Sequence, residues 1–376
     1  MEEIVISVEQ CNRELKDSIK YKIPYISNQI TEVIDEGTKI IVKGSYSSKE
    51  ETERKLNEFV KQMEEEYMEV KAKTIFSNES KDKLKEIDIY QELLDKEMVV
   101  EYGNGLIGFG GEFLEKYNSF EHVFQSWGKK LGAKEYVYPD FIDIRSLNKY
   151  KYLSQFPNHI MFASHLKEDI RTIYDFSETI STDMNCLNDQ YIDRPEYINK
   201  TSVCVHVYKQ YEDKKIDLEH PIVISSLGKC KRFESLNMSK IERLMDFSMH
   251  EIVFIGSEEF VLKKREEVIE LAKEFISELD LTANIKTSND PFFTSEYKSK
   301  AMLQKKFKLK YELNVLLPYN NREISVGSFN YHGTYFSDAF NIRDLNNKPV
   351  YTGCVGFGVE RFVYAYLSQK GFIECK

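Results

Sequence analysis

The sequence predicts an α+β protein built on an antiparallel sheet flanked by helices, and three observations carry that expectation. Strand-like runs at 202–208, 222–234, 246–255, 308–317 and 352–358 are long, and several follow one another with no helix between, as the strands of an antiparallel sheet do. A helical stripe stands at 258–279, where Val268, Leu271, Ala272 and Phe275 recur at i, i+3, i+4 and i+7. The regular strand-helix alternation of a parallel sheet is missing.

At 376 residues the chain exceeds the ~250–300 at which a single core stops growing, so a second, smaller unit is expected. It is read at the amino-terminal end, from apolar strands at 4–8 and 39–42 and a helix opening at Ser48. Ser48 and Glu51 fit a capping box, and Leu56, Phe59 and Val60 supply the apolar stripe behind it. The charged stretch 77–88 reads as linker or solvated helix. The division expected is a small mixed α/β appendage at 1–78 and a catalytic domain at 79–376.

With 52 basic and 62 acidic residues the formal charge is -10, which works against a surface that must neutralise a polyphosphate backbone. The beginning MEEIVISVEQ carries no basic leader, and no later run approaches the ~18–20 apolar residues of a membrane span. A cytoplasmic protein without membrane contact is expected. Cysteines at 11, 186, 204, 230, 354 and 375 are too scattered for a disulfide framework. Taken singly, Cys11, Cys186 and Cys375 read as small apolar residues.

The chemistry concentrates in two segments. Cys230, Arg232 and Glu234 stand at i, i+2 and i+4, so a strand projects all three from one face, and Arg243, Phe247 and Glu251 follow at intervals of four. Any one of these charges alone would suit a salt-bridged exposed sheet. Further on, Gly353-Cys-Val-Gly-Phe-Gly-Val-Glu-Arg361 runs from a glycine-bearing strand into an apolar helix at 362–367, where glycines let a backbone approach a ligand closely.

Taken together, the segments resemble the class II aminoacyl-tRNA synthetases. Arg232-Phe-Glu234, Arg243-x-x-x-Phe247 and Gly356-x-Gly-x-Glu-Arg361 match that group's second and third motifs in order, and a helix at 120–132 followed by Glu135-Tyr-Val-Tyr-Pro139 matches the dimer-forming first motif more loosely. The resemblance implies a homodimer and an ATP site. In it Arg232 grips the α-phosphate, Glu234 reads the adenine edge, Phe247 stacks on the ring, and Arg243 and Arg361 hold the γ-phosphate. It also implies Mg²⁺ at Glu323, although Val326 departs from the serine expected beside that carboxylate.

Within the superfamily the resemblance is to amino acid:carrier protein ligases, relatives of archaeal-type seryl enzymes that lack a tRNA-binding domain. It rests on residues 132–139, Phe156-Pro157, 202–208, 230–234, 289–293, Asn330-Tyr-His332 and 352–361, and covers roughly 80–376. It implies Zn²⁺ held by Cys204, Glu251 and Cys354, with Cys230 and His206 as alternative ligands. The amino acid would then lie near Ser328, Asn330 and His332. The acceptor implied is the phosphopantetheine thiol of a holo acyl or peptidyl carrier protein, approached past Lys305, Lys306 and Lys308. Two rivals remain at this point: an aminoacyl-tRNA synthetase acting on tRNA, which the acidic charge and the small appendage speak against, and a non-catalytic regulatory paralogue, which the intact motif residues speak against.

Overall fold

Alternation builds the amino-terminal unit. Strand β1 (Glu2–Ser7) turns Ile4 and Ile6 inward, and β3 (Lys39–Gly44), paired antiparallel to it, turns Ile40 and Val42 the same way. Between them in sequence come helix α1 (Arg13–Lys22) and strand β2 (Ile30–Asp35), which adds to the free edge of β3. Asn12 caps α1 by accepting from the Leu15 amide at 2.9 Å. Helix α2 (Lys49–Glu66) is capped by Ser48, whose Oγ accepts from the Glu51 amide at 3.2 Å, while the Glu51 carboxylate turns to Lys55 instead. Half of the capping box therefore forms. Leu56, Val60 and Met63 close a core of their own with Leu15 and Ile19.

The larger part of the chain is organised by an eight-stranded sheet. In chain order its strands are β4 (Thr74–Asn78), β5 (Lys134–Glu135), β6 (Ile222–Lys231), β7 (Asp246–Gly256), β8 (Ala283–Thr287), β9 (Lys310–Leu317), β10 (Arg322–Gly333) and β11 (Tyr351–Gly358). They lie side by side as β4-β8-β9-β10-β11-β7-β6-β5. Every pair is antiparallel except the short β5, which runs parallel to β6 at the edge, so the sheet is mixed. The computed structural model describes residues 1–372 apart from 68, 70, 85, 185–186, 291–292, 294–303 and 305–306.

Helices α3 (Gly111–Lys130), α5 (Glu258–Glu278) and α6 (Val359–Lys370) cover one face. There Phe124, Phe254, Val268, Phe357 and Phe362 join one core, with Phe124 stacked on Phe357 at 4.4 Å between ring centroids. A second core on the opposite face gathers Tyr150, Tyr208, Ile224, Val253 and Phe340 around helix α4 (Cys204–Gln210). Among the described residues no helix is long and apolar enough to cross a membrane.

Three expectations need correction. The run 202–208 is not a strand: from Cys204 it is the helix α4. Val203, Val205 and Val207 alternate as in a strand, but Cys204 and Tyr208 are buried too, and packing on several sides overrides the β preference of branched residues. The run 222–234 stops pairing at Lys231, because the chain then turns through Ser235 at a positive φ of 52°. The stretch 77–88 begins inside β4, which pairs with β8, so the expected boundary at 78 coincides with the end of a strand of the large sheet.

Candidate functional site

Register decides which side chains meet. Glu251 on β7 lies opposite Gly356 on β11, Gly356 opposite Ser328 on β10, and Cys354 opposite Asn330. With the two-residue period of a strand, Phe247, Glu251, Cys354, Ser328 and Asn330 project from one face, and Cys230, opposite Phe247, joins them from β6. Glycine at 356 keeps this face open: a Cβ there would stand 3.3 Å from the Glu251 Cγ.

Cys204, Glu251 and Cys354 bring their ligand atoms within 4.8 Å of one another, all buried. Both Glu251 oxygens are held at the start of α4, Oε1 by the Val203 amide at 3.0 Å and Oε2 by the Cys204 amide at 2.8 Å. Burial, then the charge on Cys354, pushes the Glu251 carboxyl up to about 7. The Cys204 thiol donates to Cys354 and so holds the Cys354 thiol well below its ordinary range, while Cys204 is itself raised. His332 stands with Nε2 3.8 Å from the Cys354 sulfur and Nδ1 3.1 Å from the Tyr208 hydroxyl, and Asn330 donates to the same sulfur at 3.6 Å. Two sulfurs and a carboxylate, buried together, make a donor set that fits Zn²⁺. Cys230 is buried on the same face but outside this cluster. His206 points elsewhere, bonding the Phe141 carbonyl at 3.1 Å and stacking on Tyr138. In a helix, positions two apart no longer share a face, so the parity that linked His206 to Cys204 is lost.

Beside this cluster the arginines converge. Arg232 donates through Nε and a terminal nitrogen to the Thr201 carbonyl, at 3.1 and 2.9 Å, and its guanidinium carbon lies 5.3 Å from the Phe247 ring centroid. Arg361, at the start of α6, donates to the Ser325 carbonyl at 2.9 Å. Arg243 forms an ion pair with Glu234. Burial works to raise the Glu234 carboxyl, but the charges of Arg243, His159 and Arg232 and the hydrogen bond from Arg243 together outweigh it and hold the group below its usual range. Burial and the neighbouring Arg243 lower Arg361 to about 10, with Arg232 adding to the effect. Three crowded cations, incompletely balanced, make a site that favours a polyanion.

Glu323 sits apart, near the start of β10, where it accepts from Asn284 at 2.6 Å and pairs with Lys286. The carboxylates that act on Arg361 are Glu234 and Glu312. Glu312, Lys310 and Asp290 form a network of which the sequence motifs contain only Asp290, with Lys310 Nζ 2.6 Å from Asp290 and 2.9 Å from Glu312. Their signal was present in the alternation of β9, where polar Lys310, Glu312 and Asn314 interleave with Tyr311, Leu313 and Val315. Lys308 lies on an exposed turn, while Lys305, Lys306, Cys186 and Cys375 lie outside the described residues.

Residues 186–370 match the tRNA synthetase class II core domain (G, H, P, S and T). The type-2 serine–tRNA ligase of Methanocaldococcus jannaschii is 29% identical over 265 residues, covering 67% of this chain and 50% of that protein. That of Methanopyrus kandleri is 29% identical over 263 residues, covering 65% and 49%. The chain thus spans about half the length of the curated relatives it matches. Among solved structures, M. kandleri SerRS in complex with A. aeolicus tRNASec superposes with a TM-score of 0.72 at 23% identity, over 98% of this chain and 74% of that one. The cytoplasmic serine–tRNA ligase of Naegleria fowleri in complex with AMP gives 0.61 at 14%, over 86% and 77%.

These findings overturn the carrier-protein acceptor and the reading against tRNA. The relatives matched across about two thirds of the chain are tRNA ligases, and the superposed M. kandleri enzyme is bound to a tRNA. The reading against tRNA leaned on net charge and on the appearance of the appendage. Net charge is a sum over the surface and says little about a local contact. By sequence the chain is similar to the class II aminoacyl-tRNA synthetases, and it has their α+β fold.

Proposed function

We propose that the chain activates serine with ATP and passes the seryl group to tRNA. The observation that carries this reading is the convergence of Arg232, Arg243 and Arg361 with Glu234 beside Phe247, next to the Cys204, Glu251 and Cys354 cluster. In the proposed reaction a carboxylate oxygen of serine attacks the α-phosphorus of ATP. A carboxyl–phosphate bond forms, the α–β anhydride bond breaks, and pyrophosphate leaves. Arg232 would meet the α-phosphate, Arg243 and Arg361 the γ-phosphate, while Phe247 stacks on the adenine and Glu234 accepts from its amino group. No side-chain nucleophile is required, because positioning and charge neutralisation carry the step.

Mg²⁺ would be held by Glu323, taking the place that Lys286 fills there, with Glu312 the other carboxylate on that side of the sheet. Zn²⁺ would be held by Cys204, Glu251 and Cys354, and when bound it supplies a Lewis-acid contact for the neutral amine of the amino acid. Ser328, Asn330 and His332 surround that corner and would orient the substrate. In the second step a terminal hydroxyl of tRNA attacks the seryl carbonyl, an ester forms and AMP leaves. The names of the relatives support serine and tRNA as substrates.

Pyrophosphate exchange into ATP, run with each standard amino acid, tests the first step, and labelling of bulk tRNA with radioactive serine tests the second. Serine should give the fastest exchange and a charged tRNA. Exchange with none of the amino acids would overturn adenylate formation, and exchange without labelled tRNA would overturn the acceptor.

A further inference from the structure

The appendage meets the nucleotide site. The last turn of α1 and the short turn after it (Ile23–Tyr25) pack against the loop between β6 and β7, which carries Glu234 and Arg243. Tyr21 stands at the centre of the contact. The Arg243 guanidinium carbon lies 5.2 Å from the Tyr21 ring centroid. The Tyr21 hydroxyl accepts from Asn158 Nδ2 at 2.9 Å and stands 3.2 Å from His159 Nε2, and the Tyr21 backbone carbonyl accepts from Asn237 Nδ2 at 2.8 Å. Tyr25 packs edge-on against Phe293 at 5.2 Å beside it.

The hydroxyl is therefore held by two partners and the backbone by a third, and the ring presents its face to a cation whose other partner is the Glu234 carboxylate. Burial, then the Glu234 charge, keeps the Tyr21 phenol neutral well above physiological pH. The same loop is tied on its far side by Lys240 to Asp88 and by Glu242 to Tyr319. An arginine left loose on such a loop would have to lose rotamer freedom each time a triphosphate bound. Tyr21 takes no part in the appendage's own core, which is built on Ile4, Ile19, Ile40 and Leu56. Its position is explained by what it touches across the boundary.

We propose that Tyr21 is a positioning residue for the nucleotide: it holds the Arg243 guanidinium at the rim of the site, so that ATP meets a cation already in place. The appendage is then a working part of the ATP site. This inference rests on the adenylate-forming reading above, and its test is arranged so that the two fail separately.

The full chain, Tyr21→Phe, Tyr21→Ala, Arg243→Ala and the Tyr21→Ala/Arg243→Ala pair are titrated with ATP by calorimetry and assayed for exchange at saturating serine. Thermal unfolding of each variant reports folding. Tyr21→Ala should weaken ATP binding and raise its KM by ~3- to 5-fold, the scale of one cation–π contact. Tyr21→Phe keeps the ring face and should retain most of the affinity. In the Arg243→Ala background the Tyr21→Ala change should have no further effect, as a coupled pair requires. Unchanged ATP affinity in Tyr21→Ala, tighter binding, or an equal loss in both backgrounds would each overturn the proposal. A wild-type chain that binds ATP but exchanges with no amino acid would overturn the parent reading, while the calorimetric cycle would still decide the role of Tyr21.

Discussion

Glu251 shows how much of this site depends on single residues. Its oxygens are claimed by two backbone amides, yet burial beside a thiolate leaves it with a proton affinity near neutrality, and a divalent cation would relieve that crowding. We expect one zinc per chain by elemental analysis and its loss in Cys354→Ser; a variant with full metal content would remove Cys354 from the ligand set. Arg232→Ala should lower pyrophosphate exchange by ~100- to 1,000-fold, the usual effect of deleting one transition-state donor, without unfolding the protein. His159 makes a pH prediction. Burial, then the Arg232 charge, lowers its pKa from 6.5 to about 4, in surroundings that also hold Tyr21, Tyr152, Glu234, Arg243 and Asp290. An unfolded chain takes up a proton near pH 6.5 that the folded chain refuses until about 4. Stability should therefore be full above that window and fall by on the order of 3 kcal/mol as pH drops through it. Denaturant unfolding at several pH values should show this slope in the wild type and lose it in His159→Gln.

At the scale of elements, the sheet is tied to α3 by a buried polar chain. Ser225 Oγ and His250 Nε2 stand 2.8 Å apart, and His250 Nδ1 is 3.3 Å from Glu121 on the helix. Gly128 lets the helix come this close, since a Cβ there would fall 2.5 Å from the Ser225 Oγ. Gly128→Ala should cost ~1–3 kcal/mol of stability, read as a lowered Tm with exchange activity kept at low temperature. The elements that were legible in the sequence share a plain period: β7, β11 and α5 were read within two residues of their ends. Helix α4 was not, because its valines alternate while Cys204 and Tyr208 are buried too. That one misreading carried His206 to the wrong side. The arginine cluster was legible through its motif spacings although Arg232 follows the end of β6, Arg243 lies on the loop before β7 and Arg361 in α6, whereas Lys310 and Glu312 sat in a strand that no motif singled out.

For the whole molecule, the acceptor was the least legible feature, since residues that would form an adenylate are indifferent to what collects the product. The contact between appendage and catalytic sheet was equally hidden: Tyr21 and Arg243 are far apart in sequence, and neither carries a mark of the other. Their union depends on how the chain is strung. Helix α2 ends at Glu66 and β4, fastened to the outer edge of the sheet, begins at Thr74. The segment 67–73 between them can span at most about 25 Å. Docking of the appendage is thus an intramolecular event at high effective concentration, and contacts too weak to hold two free proteins together suffice here. Doubling that segment with flexible residues should loosen the docking by only ~0.6 kcal/mol, under threefold in its equilibrium. ATP affinity in such a chain should therefore stay near the wild-type value, whereas a rigid helical spacer of equal length, which fixes distance instead of only limiting it, should pull Tyr21 off Arg243.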